Sequence, residues 1–239
     1  MNSPLQNHVA MISGASRGIG RAIALDLARA GADLALLARS EEALAETATL
    51  CREEGVRVLA IPTDVTERAA LERAVSKTVD ELGGLNVLVN NAGIYAKGPA
   101  QSADIDTFER VIDVNVKALM NLTRLTLPHI LASRGHRAVI HIASIVSRMS
   151  FAQGGAYCAS KHAVLGYSNS LFEDVREAGV KVCAIQPGFV ATDMVAGHGL
   201  DMDKMIQPQD IAQTVRFVAT YPDTGCPVEI IVRPQRSPC

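Results

Sequence analysis

A tyrosine and a lysine four positions apart form the pair of side chains in this sequence best suited to acid–base chemistry. They are Tyr157 and Lys161, and the surrounding pattern predicts a helix over residues 155–179. Residues four apart lie on one face of a helix, so the phenol and the ammonium should be neighbours. A nearby positive charge lowers a tyrosine pKa from its usual value of about 10, which would let Tyr157 act as a general acid or base. The same spacing also occurs by chance in exposed helices, so the pair needs support from the rest of the chain.

A glycine-rich stretch near the N-terminus has the form of a phosphate-binding turn. Residues 9–12 predict a strand and residues 21–30 an amphipathic helix. Between them, Gly14, Gly18 and Gly20 are spaced G-x-x-x-G-x-G, which differs from the G-x-G-x-x-G of the general dinucleotide fingerprint. Glycines allow close backbone approach, and the free N–H groups at a helix start attract phosphate. Its place at the first strand-to-helix junction favours a nucleotide site over a purely structural turn.

Two arginines indicate which dinucleotide would bind. The second predicted strand, residues 32–38, ends at Arg39, where a dinucleotide fold places the group that meets the adenosine ribose. An NAD site carries an acidic residue there, whereas this chain has Arg39 and, within the glycine turn, Arg17. Guanidinium groups offer charged, bidentate donors that suit a 2′-phosphate, so we predict NADP(H) as the cofactor. The alternative is that both arginines are solvated surface charges.

Strands and helices alternate along the chain. Further strands are predicted at residues 56–61, 85–89, 138–143, 180–185 and 228–232. Further helices are predicted at residues 41–54, 67–82, 105–132 and 208–220. This alternation predicts an α/β fold with a doubly wound parallel sheet.

Local residue types refine these elements. Ser40 and Thr66 are predicted helix caps, and Pro128 should kink or end the helix that contains it. Asn115 lies between two valines of that helix, which predicts a buried amide with a specific role. The polar, glycine-bearing residues 194–207 predict a mobile loop.

The size and composition of the chain predict one domain that binds small molecules. Of its 239 residues, 48% are apolar, so we predict that residues 1–239 form a single dinucleotide-binding and catalytic domain. The 23 basic and 25 acidic residues form no long run, which argues against a nucleic-acid or anionic-membrane surface. No apolar run approaches the roughly 20 residues of a membrane span. The N-terminus does not resemble a secretion signal, so we predict a cytoplasmic protein.

Cysteine and histidine positions predict neither disulfides nor a metal site. The five cysteines are scattered and odd in number, which fits reduced thiols. Cys158 adjoins Tyr157, but adjacent residues on a helix point in different directions, which argues against a redox role. The six histidines show no metal-ligand spacing.

A set of motifs in order resembles those of the short-chain dehydrogenase/reductase family, in its single-domain branch. The resemblance extends from Val9 to about Val232, and the joint occurrence of the motifs outweighs an accidental Tyr157–Lys161 spacing. The motifs are Gly14-x-x-x-Gly18-Ile19-Gly20, Asn90-Asn91-Ala92-Gly93, Asn115, Ser144, Tyr157-x-x-x-Lys161 and Pro187-Gly188.

The resemblance implies a Rossmann-type doubly wound parallel sheet of seven strands flanked by helices, usually in a homotetramer or homodimer. Such proteins bind a nicotinamide dinucleotide at the carboxyl ends of the strands, with the glycine turn at the pyrophosphate and a residue like Arg39 at the 2′-phosphate. The pair Asp64-Val65 would meet the adenine, and Thr192 would lie near the nicotinamide carboxamide. The implied cofactor-binding residues are Gly14, Ser16, Arg17, Gly18, Ile19, Gly20, Arg39, Asp64, Val65, Asn91, Ala92, Gly93, Tyr157, Lys161, Pro187, Gly188, Val190 and Thr192.

The resemblance also implies a catalytic set. Tyr157 would exchange a proton with the substrate oxygen, and Lys161 would lower the tyrosine pKa and bind the nicotinamide ribose. Ser144 would hydrogen-bond the carbonyl oxygen, and Asn115 would hold a water that connects Lys161 to solvent. The expected reaction is NADP(H)-dependent reduction of a ketone or aldehyde, or its reverse.

The substrate is less well specified. An apolar pocket suits a carbonyl compound with a hydrophobic portion, although each lining residue could equally serve the core or a subunit contact. Arg148 is a candidate carboxylate anchor, or an ordinary exposed arginine. The predicted lining is Ile94, Tyr95, Ile145, Met149, Phe151, Phe189 and Met194.

Three alternative functions remain. A 3-oxoacyl-thioester reductase acting on acyl-carrier protein ranks second, because residues 228–234 lack the glycine pair that ends many of those enzymes and Ala178 stands where they often carry a basic residue. A non-catalytic NADP(H)-sensing regulator is the alternative from another class, but such proteins tend to lose the tyrosine or lysine. An isomerase or dehydratase relative usually has a longer substrate domain.

Overall fold

The computed structural model describes residues 3–195 and 199–238, and seven strands form its frame. All neighbouring strands pair in parallel, which confirms the predicted Rossmann-type doubly wound sheet. The strands are β1 (Val9–Ser13), β2 (Asp33–Ala38), β3 (Val58–Pro62), β4 (Val87–Asn90), β5 (Ala138–Ile142), β6 (Lys181–Pro187) and β7 (Glu229–Val232).

Helices connect the strands and cover both faces of the sheet. Each lies close to a helix predicted from the sequence, apart from the division of the predicted helix at residues 105–132. The helices are α1 (Gly18–Arg29), α2 (Glu41–Arg52), α3 (Arg68–Leu82), α4 (Ile105–Ile112), α5 (Ala118–Ala132), α6 (Gly155–Val175) and α7 (Pro208–Ala219).

The strand order brings the motif residues to one edge. The order is β3-β2-β1-β4-β5-β6-β7, so the direction of winding reverses between β1 and β4. In open α/β sheets, ligands bind in the crevice outside the carboxyl ends of the strands at this reversal. The glycine turn follows β1, Asn91 follows β4 and Ser144 follows β5, so all three lie at that crevice.

The core lies in two layers on either side of the sheet. One layer packs α1, α2 and α7 against the sheet, with Ile23, Leu44 and Val215 fully buried. The other packs α3, α5 and α6, with Leu71 and Leu122 buried. The central strands are buried on both faces, which explains why β1 and β4 are almost continuous apolar runs in the sequence.

The predicted cap at Thr66 is wrong, whereas the predicted cap at Ser40 is confirmed. The Ser40 side chain accepts a hydrogen bond from the Ala43 N–H at the start of α2. Helix α3 begins one residue later than predicted, with Glu67 at its N-cap. Thr66 instead donates from its N–H and its hydroxyl to the Asp64 carboxylate, at 3.0 and 2.7 Å. The aspartate two residues earlier forms a local turn that captures the threonine before it can cap the helix.

The long helix predicted over residues 105–132 is interrupted at Asn115, not at Pro128. Residues Asp113–Lys117 form a π-helical turn in which the Ala118 N–H donates to the Asp113 carbonyl. Helix α5 continues through Pro128 to Ala132, since one missing backbone hydrogen bond is tolerated where the helix packs its apolar face against the sheet. Single π turns commonly mark functional positions, and this one holds the predicted buried asparagine.

The loop predicted at residues 194–207 includes residues 196–198, which lie outside the described part of the chain. Further along, Met202–Lys204 form a short 3₁₀ turn and Ile206 forms an isolated parallel bridge with Val190. The C-terminal part of this loop therefore has regular hydrogen bonding that its composition did not predict. Within residues 3–195 and 199–238, no helix combines the length and apolar character needed to cross a bilayer.

Candidate active site

The glycine turn after β1 is packed so closely that its glycines are required. Gly14 has a φ of +67°, a region that L-side chains rarely adopt. A Cβ on Gly20 would lie 2.1 Å from the Gly14 carbonyl oxygen, and a Cβ on Gly14 would lie 2.9 Å from Asn91 Nδ2. Asn91 Nδ2 donates to the carbonyls of Ser13 and Gly14, at 2.9 and 3.1 Å. The glycine turn is therefore packed closely between α1 and the end of β4.

Ser13 joins the ends of β1 and β4 and was not singled out as a site residue. Its Oγ accepts hydrogen bonds from the N–H groups of Asn91 and Ala92, both at 3.0 Å. These bonds fix the Asn91-Ala92-Gly93 segment beside the glycine turn. The only sequence signal was a hydroxyl residue directly before the first glycine.

The N-terminus of α1 is left without a side-chain cap. Arg17 occupies the N-cap position, makes no capping hydrogen bond with its side chain, and is followed by no acidic residue in the first turn. By contrast, Ser40 caps α2, whose first turn carries Glu41 and Glu42. A helix start has unpaired N–H donors and a positive dipole end, which favour an anion. The α1 terminus therefore fits a phosphate group that this chain does not itself supply.

Hydrogen bonds and apolar contacts hold the residues around the glycine turn in place. The Ser16 carbonyl accepts hydrogen bonds from Arg21 Nε at 3.1 Å and from Thr47 Oγ1 at 3.3 Å. Ile19 packs on the core layer beside α1, and Val65 packs on the opposite layer. The hydrogen bonds to the Ser16 carbonyl therefore tie the glycine turn to α1 and α2.

Charged groups gather at the ends of β2 and β3. Arg39 is exposed where β2 ends. Burial raises the pKa of Asp64, but hydrogen bonds from Thr66 and the positive charge of Arg39 outweigh that effect and hold the pKa below its ordinary value. Arg17 forms an ion pair with Asp193, Nη1 to Oδ2 at 3.3 Å. Arg39 and Asp64 are thus close enough to interact, while Arg17 reaches the loop after β6.

Ser144 and Tyr157 meet at the carboxyl end of β5. Ser144 Oγ accepts a hydrogen bond from the Val146 N–H at 3.3 Å and lies 3.5 Å from the Pro187 carbonyl oxygen. Burial raises the pKa of Tyr157 above its ordinary value of 10.0, and a hydrogen bond with Ser144 offsets part of that rise. Burial therefore disfavours the phenolate form of Tyr157, whereas the hydrogen bond with Ser144 favours it.

Lys161 is buried beneath this pair and is 7% exposed. Its Nζ donates to the Ile142 carbonyl at 2.9 Å and lies 5.8 Å from the centroid of the Tyr157 ring. Burial lowers the pKa of Lys161 to about 8. Burial governs the direction of the Tyr157 pKa in this structure, and the lowering by Lys161 expected from the sequence stays a prediction. The ammonium is directed to a backbone carbonyl, and the cost of burying the phenolate dominates.

Asn115 is buried as predicted, but its side-chain amide is fully occupied. Oδ1 accepts from the Ile94 N–H at 2.9 Å, and Nδ2 donates to the Ile94 carbonyl at 3.0 Å and to Ser160 Oγ at 3.1 Å. Ser160 in turn donates to the Tyr157 carbonyl at 2.7 Å. The amide therefore ties the segment after β4 to the helix that carries Tyr157 and Lys161. Nothing in the sequence indicated the part played by Ser160.

Gly93 lies against the same cluster. A Cβ at this position would stand 3.4 Å from Asn115 Oδ1 and 3.8 Å from Lys161 Nζ. The backbone after β4 thus passes over the lysine, which places the Asn91-Ala92-Gly93 segment between the glycine turn and Lys161.

An aromatic wall borders Tyr157. The Tyr95 ring meets the Tyr157 ring edge-on, with centroids 5.1 Å apart, and stacks with Phe151 at 6.4 Å. Ile94, which precedes Tyr95, and Ile145, which follows Ser144, are half-buried. The remaining predicted lining residues expose large apolar side chains, namely Met149, Phe189 and Met194.

Arg148 is not free to anchor a substrate carboxylate. Its Nη2 forms an ion pair with Glu229 at the start of β7. Gln186 and Asn169 also donate to the Glu229 carboxylate, at 2.8 and 3.3 Å. The arginine therefore holds β7 against the segment after β5.

The residues after β6 complete the cleft. The Gly188 N–H donates to the Val232 carbonyl at 2.8 Å, which anchors Pro187-Gly188 to β7. Val190 is buried, and Thr192 Oγ1 donates to its carbonyl at 3.4 Å. Thr192 also touches the glycine turn, because a Cβ on Gly18 would lie 3.3 Å from Thr192 Cγ2. The predicted cofactor residues outside α6 thus lie at or beyond the carboxyl ends of the strands, and the π turn and α6 contribute Asn115, Tyr157 and Lys161.

Sequence comparisons agree with this geometry. The family model described as "short chain dehydrogenase" matches residues 8–203. An uncharacterized oxidoreductase of Staphylococcus aureus strain USA300 is 34% identical, and the match covers 96% of this chain and 98% of the relative. A glycine betaine reductase of Emericella nidulans is 35% identical over 98% of this chain, although the match spans 19% of that longer protein.

Solved structures give the same result. The structure of carveol dehydrogenase from Mycobacterium avium in complex with NAD superposes with a TM-score of 0.91 at 25% identity, covering 97% of this chain and 98% of that one. A double mutant of a Serratia marcescens short-chain dehydrogenase/reductase gives a TM-score of 0.87 at 30% identity, with coverage of 97% and 98%. The similarity therefore extends over nearly the whole chain.

Proposed function

This chain belongs to the short-chain dehydrogenase family of oxidoreductases, and we propose that it uses NADP(H) to interconvert a carbonyl compound and an alcohol. The observation that carries the proposal is the placement of Tyr157 within hydrogen-bonding reach of Ser144, with Nζ of the buried Lys161 5.8 Å from the centroid of the phenol ring. A phenol next to a second hydroxyl can donate a proton to a carbonyl oxygen or accept one from an alcohol, so it suits both directions of the interconversion.

The residues present fit a nicotinamide dinucleotide. The uncapped N-terminus of α1 and the tightly packed Gly14 and Gly20 favour a pyrophosphate there, and Gly93 and Gly188 offer close backbone approach. Asp64 and Val65 would border the adenine, while Asn91, Ala92 and Thr192 would line the rest of the cofactor. When bound, the nicotinamide supplies or accepts the hydride.

Four side chains of this protein have proposed roles in proton transfer and charge stabilisation. Tyr157 holds the proton that a carbonyl oxygen would receive. Ser144 supplies a second hydrogen-bonding group for that oxygen, which stabilises negative charge as it develops. Lys161 places a cation in a water-poor site, where it acts more strongly than in solvent. We further propose that Asn115 positions Ile94 and Ser160 and that its segment carries the water for proton supply.

The preference for NADP(H) rests on Arg39 and Arg17. Arg39 stands exposed at the end of β2, beside Asp64, and no acidic residue takes its place. A guanidinium at this position favours a 2′-phosphate over a ribose hydroxyl. The carveol dehydrogenase neighbour was crystallised with NAD, so NADH is the cofactor against which NADPH must be compared.

The substrate is proposed to be a neutral ketone or aldehyde with a hydrophobic part. Tyr95 and Phe151 form an apolar wall beside Tyr157, and Arg148 is already paired with Glu229. A site without a free arginine offers little to a carboxylate. A 3-oxoacyl thioester remains the second candidate, because an acyl chain would also suit an apolar wall.

A spectrophotometric assay tests the function. NADPH absorbance is followed with a panel of neutral ketones and aldehydes, carboxylated ketones and 3-oxoacyl thioesters, with NADH in parallel. We expect NADPH-dependent turnover of neutral carbonyl compounds. Turnover of thioesters alone would favour the second candidate, and tight NADP(H) binding without any turnover would favour a cofactor-sensing regulator.

We also propose that one domain forms a cytoplasmic homotetramer, with a homodimer as the alternative. Support for association comes from exposed apolar side chains on α7 and β7, Phe217 at 52% and Ile231 at 52%. Light scattering on the purified chain measures the assembly. A monomer would contradict the proposal.

A further inference from the structure

One exposed ion pair joins the start of α1 to the segment that follows β6. Arg17, at the start of α1, pairs with Asp193, in the segment that follows β6, with Nη1 and Oδ2 3.3 Å apart. The two residues are 176 positions apart in the chain, and both side chains are 76% exposed. The pair therefore links the start of α1 to the segment after β6 while both side chains remain largely in solvent.

A second contact brings the same two segments together. Beside Asp193, Thr192 lies so near the first residue of α1 that a Cβ on Gly18 would be 3.3 Å from Thr192 Cγ2. Residues 192–193 thus lie next to the uncapped helix start that fits a phosphate group. Asp193 places a carboxylate at the edge of a region that otherwise favours anions.

We infer that Asp193 reduces the selectivity for NADP(H) by competing with its 2′-phosphate for Arg17. This inference rests on the proposed cofactor. In the structure Asp193 pairs with the guanidinium of Arg17. A phosphate group is a stronger bidentate partner for arginine than an exposed carboxylate and displaces it. A dinucleotide without the 2′-phosphate has no group to exchange, so Asp193 weakens the binding of NADP(H) more than that of NAD(H).

The expected effect is modest because the pair is exposed. Surface ion pairs interact weakly and are screened by salt. Replacing Asp193 with asparagine keeps the shape and removes the competing charge. Binding of NADPH should then tighten about two- to fivefold, with NADH nearly unchanged.

The test measures binding, so it needs no substrate. Calorimetric titrations of NADPH and NADH are made on the wild-type chain, Asp193→Asn, Arg17→Gln and the double variant. Glu54→Gln is the matched control, since Glu54 pairs with Arg29 at the far end of α1. We expect a rise in the NADPH-to-NADH affinity ratio in Asp193→Asn, no such rise in the Arg17→Gln background, and none in Glu54→Gln.

Three results would overturn the inference. An unchanged affinity for both cofactors would make the pair an incidental surface contact. An equal gain for NADPH and NADH would mean that Asp193 repels the shared pyrophosphate instead of competing for Arg17. An equal rise in the affinity ratio with Arg17 removed would show that Asp193 does not act through that arginine. If the wild-type chain binds NADPH more tightly than NADH, these results contradict only the role of Asp193. If it binds NADH more tightly, the proposed preference for NADP(H) is wrong as well.

Discussion

The two ends of the cleft are built differently. At the catalytic end, Ser144 and Lys161 are 9% and 7% exposed, and both are held by backbone hydrogen bonds. At the adenosine end, Arg39 stands in solvent, and Arg17 shares a loose ion pair with an equally exposed aspartate. Charges removed from water interact strongly, whereas solvated ones are screened.

This contrast assigns different tasks to the two ends. Under the proposed function, fixed, desolvated groups would govern the proton transfer, so substitutions there should change turnover by orders of magnitude. Exposed arginines would govern which dinucleotide binds, so substitutions there should change relative affinity and leave chemistry intact. The following experiments test that division.

The largest effect is expected for Tyr157→Phe. Removing the proton donor should lower kcat by about 10²–10⁴-fold, because that is the usual contribution of general acid–base catalysis. NADPH binding should stay within about twofold, since Phe preserves the ring. Steady-state rates and calorimetric titration give the two values. Tyr167→Phe, ten residues further along α6, is the matched control and should retain near-normal kcat. Full activity in Tyr157→Phe would contradict the role of Tyr157 as the proton donor.

Arg39→Asp tests the exposed end. Replacing a charge-assisted contact with a repulsive carboxylate should shift the KM ratio of NADPH to NADH by about 10- to 100-fold toward NADH, with kcat little changed. Steady-state rates with each cofactor give the ratio. Arg73→Asp makes the same charge change on the exposed surface of α3 and should leave the ratio unaltered. An unchanged ratio in Arg39→Asp would mean that Arg39 does not contact the phosphate.

Gly20→Ala tests the close packing of the glycine turn. The added Cβ would lie 2.1 Å from the Gly14 carbonyl oxygen, so the turn must shift. We expect a loss of about 1–3 kcal/mol in unfolding free energy, as for an overpacked core. Denaturant unfolding measures it. Gly166→Ala on α6, where a Cβ meets nothing within 4 Å, should instead stabilise by about 0.5–1 kcal/mol; equal effects at both glycines would contradict the packing argument.

The pH dependence of stability gives the smallest signal. The pKa of Lys161 is lowered from 10.5 to about 8 by burial, so between these values the unfolded chain binds more protons than the folded one. This lysine therefore contributes stability that grows as pH rises across that interval, by up to about 1.4 kcal/mol per unit. Denaturant unfolding from pH 8 to 10 measures the slope.

In Lys161→Met that rise should disappear, while Lys77→Met, at an exposed pair with Glu81, should keep it. The difference between variants isolates Lys161 from other groups that titrate in this range, such as Cys51, whose pKa burial raises to about 11. If the unfolding free energies of wild type and Lys161→Met changed in parallel with pH, the pKa of Lys161 would not be lowered by burial in the folded chain.

The sequence predicts the backbone of this site well because its signals are local. Gly14 and Gly20 mark a turn that only glycine can form, and the four-residue spacing of Tyr157 and Lys161 fixes their common helix face. Alternating apolar runs place each strand end, so most motif residues could be assigned to one edge.

The electrostatics could not be predicted in the same way, because they depend on residues distant in sequence. Nothing near Lys161 indicates that the Ile142 carbonyl would hold its ammonium, or that burial would raise the Tyr157 pKa. The partner of Arg148, Glu229, lies 81 positions away. Each of these contacts arises only when the strands assemble.

The π turn shows the same limit within one helix. Residues 105–132 have helical periodicity throughout, and Pro128 was the visible irregularity. The actual break at Asp113–Lys117 turns Asn115 inward to meet Ile94 and Ser160. Tertiary hydrogen bonding thus decides where this helix is irregular.

Ser144 closely follows β5, and Tyr157 and Lys161 belong to α6, so regular elements hold the proposed reacting groups, whereas outer segments carry the predicted substrate lining. Tyr95, Met149, Phe151 and Phe189 lie on those outer segments. Grafting segments from relatives onto this scaffold should therefore retarget the enzyme to new compounds while the proton donor stays in register, which makes the chain a suitable starting point for directed evolution.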